Sequence, residues 1–394
     1  MKITPSTVLE KLPSGIFLDL ANRKQELLKQ GIDVIDLSVG SPDLPPSPLV
    51  TETIAKYSSD PLNYGYTLKG TAEFSEAVSY FYKKRYNADI IAEKEVLQLM
   101  GSQDGLSHLA LALVNPGDYV LVPDPGYPIY EASVKIAGAE AYPMPLLEEN
   151  DFLPVLEDIP AEVSAKAKLM ILSYPGNPVP ALADRRFFEK VVAFAKKHEI
   201  LVLHDFAYSE LIFDDHPQIS FMSVEGAKEV GIEINSLSKT FNMAGCRIGY
   251  AVGNEQAIRI LAAFKSHIDY GIFLPIQKAA VAALTSDYAD LGERVKIYEH
   301  RRDTLIEGLN RSGWHVKSSP ATMFVWAKIP EGWTSHDFAF QLLDNAGVAV
   351  VPGDAFGQQG EGYVRIAIVQ PAERLAEAAN RIRKFLAVGV EVEA

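Results

Sequence analysis

The chain has 394 residues, 48% of them hydrophobic and 22% charged, with 27 Gly and 24 Pro scattered through it; that is too long for one ordinary core and excludes a disordered or fibrous chain. The formal net charge of −14 argues against nucleic acid as a partner, because a phosphate backbone selects clustered Lys and Arg. A single cysteine, Cys246, excludes an intramolecular disulfide framework, and with no apolar run of 18 residues and no signal-length N-terminal stretch the expected setting is the cytoplasm, away from membranes.

After a short N-terminal arm, residues 18–30 read as an amphipathic helix and 34–39 as a strand ending at Gly40. From about residue 93, apolar runs alternate with helical stretches: strand 96–100, helix 103–114, strand 119–122, helix 129–137 and strand 168–173. A helix over 184–198, capped by Asp184, precedes strand 200–204, and strands 232–235 and 247–252 follow. Such alternation predicts an α/β fold with parallel strands joined by helical crossovers. A helical region over 287–311 then leads into strands at 314–317, 323–327, 348–351 and 364–368, with helices at 335–345 and 371–387, a compact α+β unit. The expected division is 1–45 (an arm and part of a small domain), 46–285 (a large domain) and 286–394 (the rest of the small domain), without a Gly/Ser-rich linker.

The stretch Asn235-Ser-Leu-Ser-Lys-Thr-Phe-Asn-Met-Ala-Gly-Cys-Arg-Ile-Gly249 carries the most chemical information. It sets Lys239 among small hydroxyl residues with Arg247 eight positions on. An aldehyde cofactor needs an amine able to form a Schiff base, and its phosphate needs short donors and a fixed cation; Lys239, Ser236, Ser238 and Arg247 supply these for pyridoxal 5'-phosphate. No metal ligand set is expected.

In open α/β sheets ligands gather at the carboxyl ends of strands. Asp205 emerges at such an end, placed either to cap a following helix or to keep a pyridine nitrogen protonated, with Tyr208 near enough to donate to the ring's phenolate oxygen. Tyr174-Pro-Gly-Asn177-Pro-Val-Pro180 is a stiff loop, either a structural turn or a mount for the Asn177 amide. Ser102 and Gln103 lie where a strand meets a helix N-terminus, a position suited to phosphate. Tyr127 follows another strand end, to stack on a flat ring or to pack in the core. Arg365 sits within an apolar strand and needs a carboxylate, from a substrate or from an internal salt bridge, unless it faces outward on an edge.

Together these residues resemble the fold-type I pyridoxal phosphate aminotransferases of class I/II, over nearly the whole chain. The likeness is greatest to the branch holding LL-diaminopimelate, alanine-forming and bacilysin-pathway transaminases, through Lys265-Ser-His-Ile-Asp-Tyr-Gly-Ile-Phe273 and Met323-Phe-Val-Trp-Ala327. The resemblance implies a large domain with a mostly parallel seven-stranded sheet between helices, and a smaller α+β domain. It gives Lys239 the Schiff-base and proton-shuttling roles, Asp205 the pyridine nitrogen, Tyr208 and Asn177 the ring oxygen, and Tyr127 the ring face. Ser102, Gln103, Ser236, Ser238 and Arg247 fall to the phosphate, and Gly40, Asn177 and Arg365 to the substrate α-carboxylate. It further implies a homodimer with shared sites, in which Tyr66, rather than Tyr64, reaches the neighbour's phosphate.

The expected reaction is ping-pong transfer of an amino group from glutamate or alanine to a 2-oxo acid. A carbon–sulfur lyase or decarboxylase on the same fold, and a catalytically silent ligand-binding regulator, are the alternatives. With no arginine between Arg259 and Arg294, and with aromatics at Phe17, Tyr130, Tyr270 and Phe273 that either line an apolar side-chain pocket or pack in the core, a medium-sized, aromatic or branched acceptor is expected over a dicarboxylate. Three departures from the family pattern stand out: Val179-Pro180 follows the Asn177-Pro pair where Thr-Gly is usual, Cys246 replaces a tryptophan before Arg247, and the Tyr64–Gly70 segment is one residue short.

Overall fold

A computed structural model describes residues 1, 3–10, 12 and 15–390, with side chains as far as 387. Its strands, in chain order, are β1 (Ile35–Asp36), β2 (Val96–Leu99), β3 (Tyr119–Asp124), β4 (Glu140–Pro145), β5 (Ala167–Ser173) and β6 (Leu201–Asp205), then β7 (Gly231–Ser236), β8 (Gly249–Gly253), β9 (Phe324–Lys328), β10 (Val348–Ala349), β11 (Val351–Pro352) and β12 (Tyr363–Ala367). Seven of them form one sheet in the order β2-β8-β7-β6-β5-β3-β4. Every neighbouring pair is parallel except those made by β8, which runs against both β2 and β7.

Both faces of this sheet are covered, as a parallel sheet requires. Along β5 the side chains alternate: Met170 and Leu172 join one core with Phe74, Phe188 and Tyr250, while Leu169 and Ile171 join another with Leu106, Leu109 and Val134. Helix Arg185–His198 shows how local sequence fixes an element. Asp184 caps it, its Oδ1 accepting the Phe187 amide at 2.7 Å, and Phe188, Val191, Val192 and Ala195 recur at helical spacing on the buried face. A third core holds Tyr298, Leu305, Phe324, Phe338 and Ile366, where helices Ala289–Arg311, Ser335–Ala346 and Ala372–Val390 gather around the antiparallel sheet β11-β12-β9. Strand β1 pairs with β10, so the start of the chain closes onto this C-terminal unit.

Several elements depart from the sequence reading. The predicted strand 314–317 is unpaired; Trp314 and Val316 are buried and His315 and Lys317 exposed, and the Trp314 indole donates to the Lys328 carbonyl at 2.6 Å. The predicted strand 348–351 is split, because Val348–Ala349 pairs with β1 and Val351–Pro352 with β12. The strand expected over 34–39 pairs only at Ile35 and Asp36. Four helices, Pro48–Ser58, Ala72–Tyr86, Glu255–Lys265 and Leu274–Leu284, and the edge strand β4 were not anticipated. Residues 391–394 of the last predicted unit lie outside the described residues. No helix among the described residues is long and apolar enough to cross a membrane.

Candidate active site

The strands β2, β3, β5, β6 and β7 finish on one edge of the large sheet, and β8, running the other way, begins there: Gly249 pairs with both Leu99 and Ser236. The turns beyond that edge enclose a cavity of about 790 Å³, within the range of small-molecule sites. Every residue assigned to the cofactor or to the substrate α-carboxylate lines it, except Tyr66.

Lys239 lies in the helical turn Leu237–Thr240, which Ser236 caps by accepting the Ser238 amide at 3.1 Å. Its Nζ donates to the Gly40 carbonyl at 2.8 Å and stands 5.9 Å from the centre of the Tyr208 ring. A side chain at Gly40 would put Cβ 2.6 Å from Phe324 Cζ, so only glycine lets this carbonyl approach. Burial, followed by the nearby Arg365 and Arg247, lowers the Lys239 pKa from 10.5 to about 8, with Asp205 opposing. An amine so tuned is still mostly ammonium near pH 7, but a far larger fraction of it is neutral and nucleophilic than for an ordinary lysine.

Asp205 is buried at the end of β6, and burial raises its pKa against a hydrogen bond from Tyr130, whose hydroxyl donates to Oδ2 at 2.6 Å. No helix follows Asp205, which removes the capping alternative; Oδ1 accepts the Ala207 amide at 3.3 Å within a turn. On the opposite face of β6, His204 hydrogen-bonds Glu233 at 2.8 Å and the Tyr174 backbone at 3.1 and 3.3 Å. Glu233 also accepts from Tyr82, Ser220 and the Phe221 amide. This satisfied buried network fixes the start of the loop that carries Asn177.

At the β2 end, helix Ser102–Leu113 opens with Gly101 as its cap and no capping side chain, which leaves first-turn amides for an anion. Gly101 has φ +77°, and a Cβ there would collide with the Arg247 guanidinium. The glycine thus lets the cation settle against the helix N-terminus, where Arg247 also donates to the Ala244 carbonyl at 3.0 Å. Tyr127 donates to Gln103 Oε1 at 3.2 Å across the cavity mouth.

Arg365 is on β12, the middle strand of its sheet, so it is neither at an edge nor facing outward. Among the described residues it has no carboxylate partner: Nη1 donates to Asn177 Oδ1 and Nη2 to the Ser38 carbonyl, both at 2.7 Å, while Nε is buried without a partner there. The guanidinium lies between the Phe324 and Phe356 rings, 4.4 and 4.9 Å from their centres. Burial lowers its pKa to about 10, an arrangement that a bound carboxylate would complete.

Of the aromatics expected in the substrate pocket, only Phe17 lines the cavity. Tyr130 is turned inward onto Asp205, and Tyr270 and Phe273 pack instead on Tyr66 and Tyr64, with ring centres 5.3 and 5.0 Å apart. Tyr66 is 82% exposed on the outer surface. Among the lining residues that escaped the sequence reading are Ser38 and Lys24, the latter signalled by its place one turn beyond Leu20 and Ala21 on one helix face.

The family model for aminotransferase class I and II matches residues 32–382. The LL-diaminopimelate aminotransferase of Moorella thermoacetica is 44% identical over 96% of this chain and 97% of its own. That of Syntrophobacter fumaroxidans is 45% identical over the same shares. Among solved structures, the substrate-bound BacF of Bacillus subtilis superposes with a TM-score of 0.93 at 43% identity, covering 98% of each chain. A probable N-succinyldiaminopimelate aminotransferase from Thermus thermophilus gives 0.90 at 37% identity, over 94% of this chain and 100% of that one. The chain belongs to the class I and II aminotransferases. It is an enzyme of amino-group transfer, and the family depends on pyridoxal phosphate.

Proposed function

We propose that the cavity holds pyridoxal phosphate through the residues named from the sequence and moves the amino group of glutamate or alanine to a 2-oxo acid with an apolar, aromatic or branched side chain. The residues fit the cofactor: a helix N-terminus without a capping side chain, Ser236, Ser238 and Arg247 would meet its phosphate, and the buried Asp205 carboxylate lines the same cavity. When bound, the cofactor supplies an aldehyde carbon for an amine and a protonated ring that draws electrons from the substrate α-carbon.

The chain's residues do the rest. Lys239, held at the Gly40 carbonyl and poised near pH 8, exchanges with the substrate amine and then carries the Cα proton. Asp205 keeps the ring nitrogen protonated, and Tyr130 orients that carboxylate. Tyr208 and Asn177 would donate to the ring oxygen, Tyr127 would cover the ring face, and Ser102 and Gln103 would join the phosphate donors. Arg365, aided by Asn177 and Gly40, fixes the α-carboxylate and hence the orientation of the Cα–H bond.

The observation that carries the substrate reading is the cavity wall, to which Leu12, Phe17, Leu20, Leu106 and Ile129 contribute apolar side chains. LL-diaminopimelate, the substrate in the relatives' names, ends instead in a second charged amino-acid head. The exposed patch of Leu62, Tyr64, Tyr66, Leu68 and Tyr270 supports a homodimer in which Tyr66 enters the neighbour's site. The division at 46–285 belongs to the same proposal, supported by the separate cores around the two sheets, as does a cytoplasmic setting.

The test is a panel of amino acids added to purified holoenzyme while the cofactor's visible absorption is followed. Glutamate or alanine should bleach it, and branched or aromatic 2-oxo acids should restore it. Restoration by oxaloacetate alone would refute the apolar-pocket reading, and release of pyruvate and ammonia without an acceptor would favour a lyase. Light scattering at assay concentration should give twice the 43.3 kDa chain mass; a monomer would end the shared-site reading.

A further inference from the structure

A ping-pong transaminase with the substrates proposed above must admit an acidic donor and an apolar acceptor to one pocket, and its wall has to serve both. Among the described lining residues the cations are Lys239, Arg247, Arg365 and Lys24. The first three are committed to the amine, phosphate and α-carboxylate roles of that reading. Lys24 is left over. It lies on the helix Ile16–Lys29, whose Phe17, Leu20 and Ala21 face the cavity at helical spacing, so the apolar stripe ends in an ammonium group.

The charge of Lys24 is neutralised in place. Its Nζ donates to Asp36 Oδ2 at 2.6 Å, and Asp36 Oδ1 accepts from the Ser38 amide at 3.0 Å and its hydroxyl at 2.6 Å. Ser38 in turn gives its carbonyl to Arg365. One wall therefore carries two carboxylate-binding cations, joined by Asp36 and Ser38. Its Arg365 end has a free donor, and its Lys24 end has a partner that it can exchange. Only 16% of the Lys24 side chain is exposed, so a carboxylate reaching it would be recognised where water screens little.

We propose that Lys24 is the residue that selects an acidic donor: its ammonium turns from Asp36 to the distal carboxylate of a dicarboxylic amino acid, and returns to Asp36 when an apolar side chain fills the pocket. Asp36 keeps its two Ser38 hydrogen bonds during the exchange, so its carboxylate is not stranded. This rests on the transaminase reading, and the flexible lysine stem suits a swinging contact better than a rigid guanidinium fork.

The test uses Lys24→Met, which keeps the stem, Lys24→Arg, which keeps the charge, and Asp36→Asn, which releases the lysine. In holoenzyme half-reactions the ratio of kcat/KM for glutamate to that for leucine should fall at least tenfold in Lys24→Met, be retained within about threefold in Lys24→Arg, and rise in Asp36→Asn. Calorimetric titration supplies a readout independent of turnover: glutarate should bind Lys24→Met at least tenfold more weakly than wild type, with 4-methylpentanoate held within about twofold. Equal losses for both donors, or for both probes, would show that Lys24 only braces the wall and would overturn the proposal. So would an unchanged ratio. If wild type bleaches with no amino acid, the transaminase reading fails instead, and the two titrations still decide whether Lys24 reads a second carboxylate.

Discussion

Replacing Lys239 with Met in the cofactor-free protein should make it more stable at neutral pH. In the folded chain the Lys239 amine has a pKa of about 8 against 10.5 unfolded, because it is buried beside Arg365 and Arg247. Below pH 8 the ammonium is therefore confined at a cost. At 1.36 kcal/mol per pH unit the distance between those values sets an upper limit of roughly 3 kcal/mol. The sign follows from proton counts: between about pH 8 and 10.5 the unfolded chain holds the proton that the folded chain has lost, so wild-type stability rises with pH across that window. Methionine has similar length, no charge and no proton to lose; it forfeits only the Gly40 hydrogen bond, worth about 1–2 kcal/mol. The variant should gain about 1–2 kcal/mol at pH 6.5, and the gain should vanish or reverse by pH 10. Urea unfolding of both cofactor-free proteins at equal concentration measures this directly. A variant less stable than wild type at pH 6.5, or a difference that ignores pH, would refute the account of Lys239.

Four further outcomes follow from the geometry. Asp205→Asn should retain cofactor but lower the rate of the first half-reaction by about 10²–10³-fold, as followed by stopped-flow absorption, since a neutral amide cannot hold the ring nitrogen protonated. Tyr130→Phe removes the 2.6 Å hydrogen bond that opposes the raised pKa of Asp205, so the acidic limb of the rate profile should move to higher pH. Arg365→Lys should cost about 2–4 kcal/mol in kcat/KM for every amino acid, mostly through KM, because a single ammonium nitrogen lacks the planar fork that reaches Asn177 and Ser38 from separate nitrogens and meets a carboxylate side-on. Gly101→Ala forces a Cβ against Arg247 at φ +77°, and equilibrium dialysis should show pyridoxal phosphate held at least about tenfold more weakly.

The site was far more legible than the framework around it. Asp205, Asn177, Ser102 and Lys239 each stand just beyond an apolar run, and parallel strands carry all such positions to one edge. Tyr130 was left between pocket lining and core, because nothing in its helix reveals a hydrogen bond to a carboxylate 75 residues away. Strand β4 escaped notice because prolines interrupt it, which its place at the sheet edge tolerates. The alternation of 314–317 looked like a strand, and Trp314 and Val316 are indeed buried, yet the segment is tied down by one indole hydrogen bond to Lys328 rather than by a ladder. The expected exposure of Tyr66 to a second subunit has no local signature either; its 82% exposure is a property of the surface that loops 62–70 and 266–273 build together.

The central claim is that Lys239 covalently holds the cofactor at this strand edge. Borohydride reduction of the holoenzyme, followed by proteolysis and mass spectrometry, tests it most directly. The account predicts a single pyridoxyl-phosphate adduct on the peptide bearing Lys239, and none after prior treatment with an amino donor that empties the lysine. An adduct on any other lysine, or no adduct from protein that carries the cofactor's visible absorption, would contradict it.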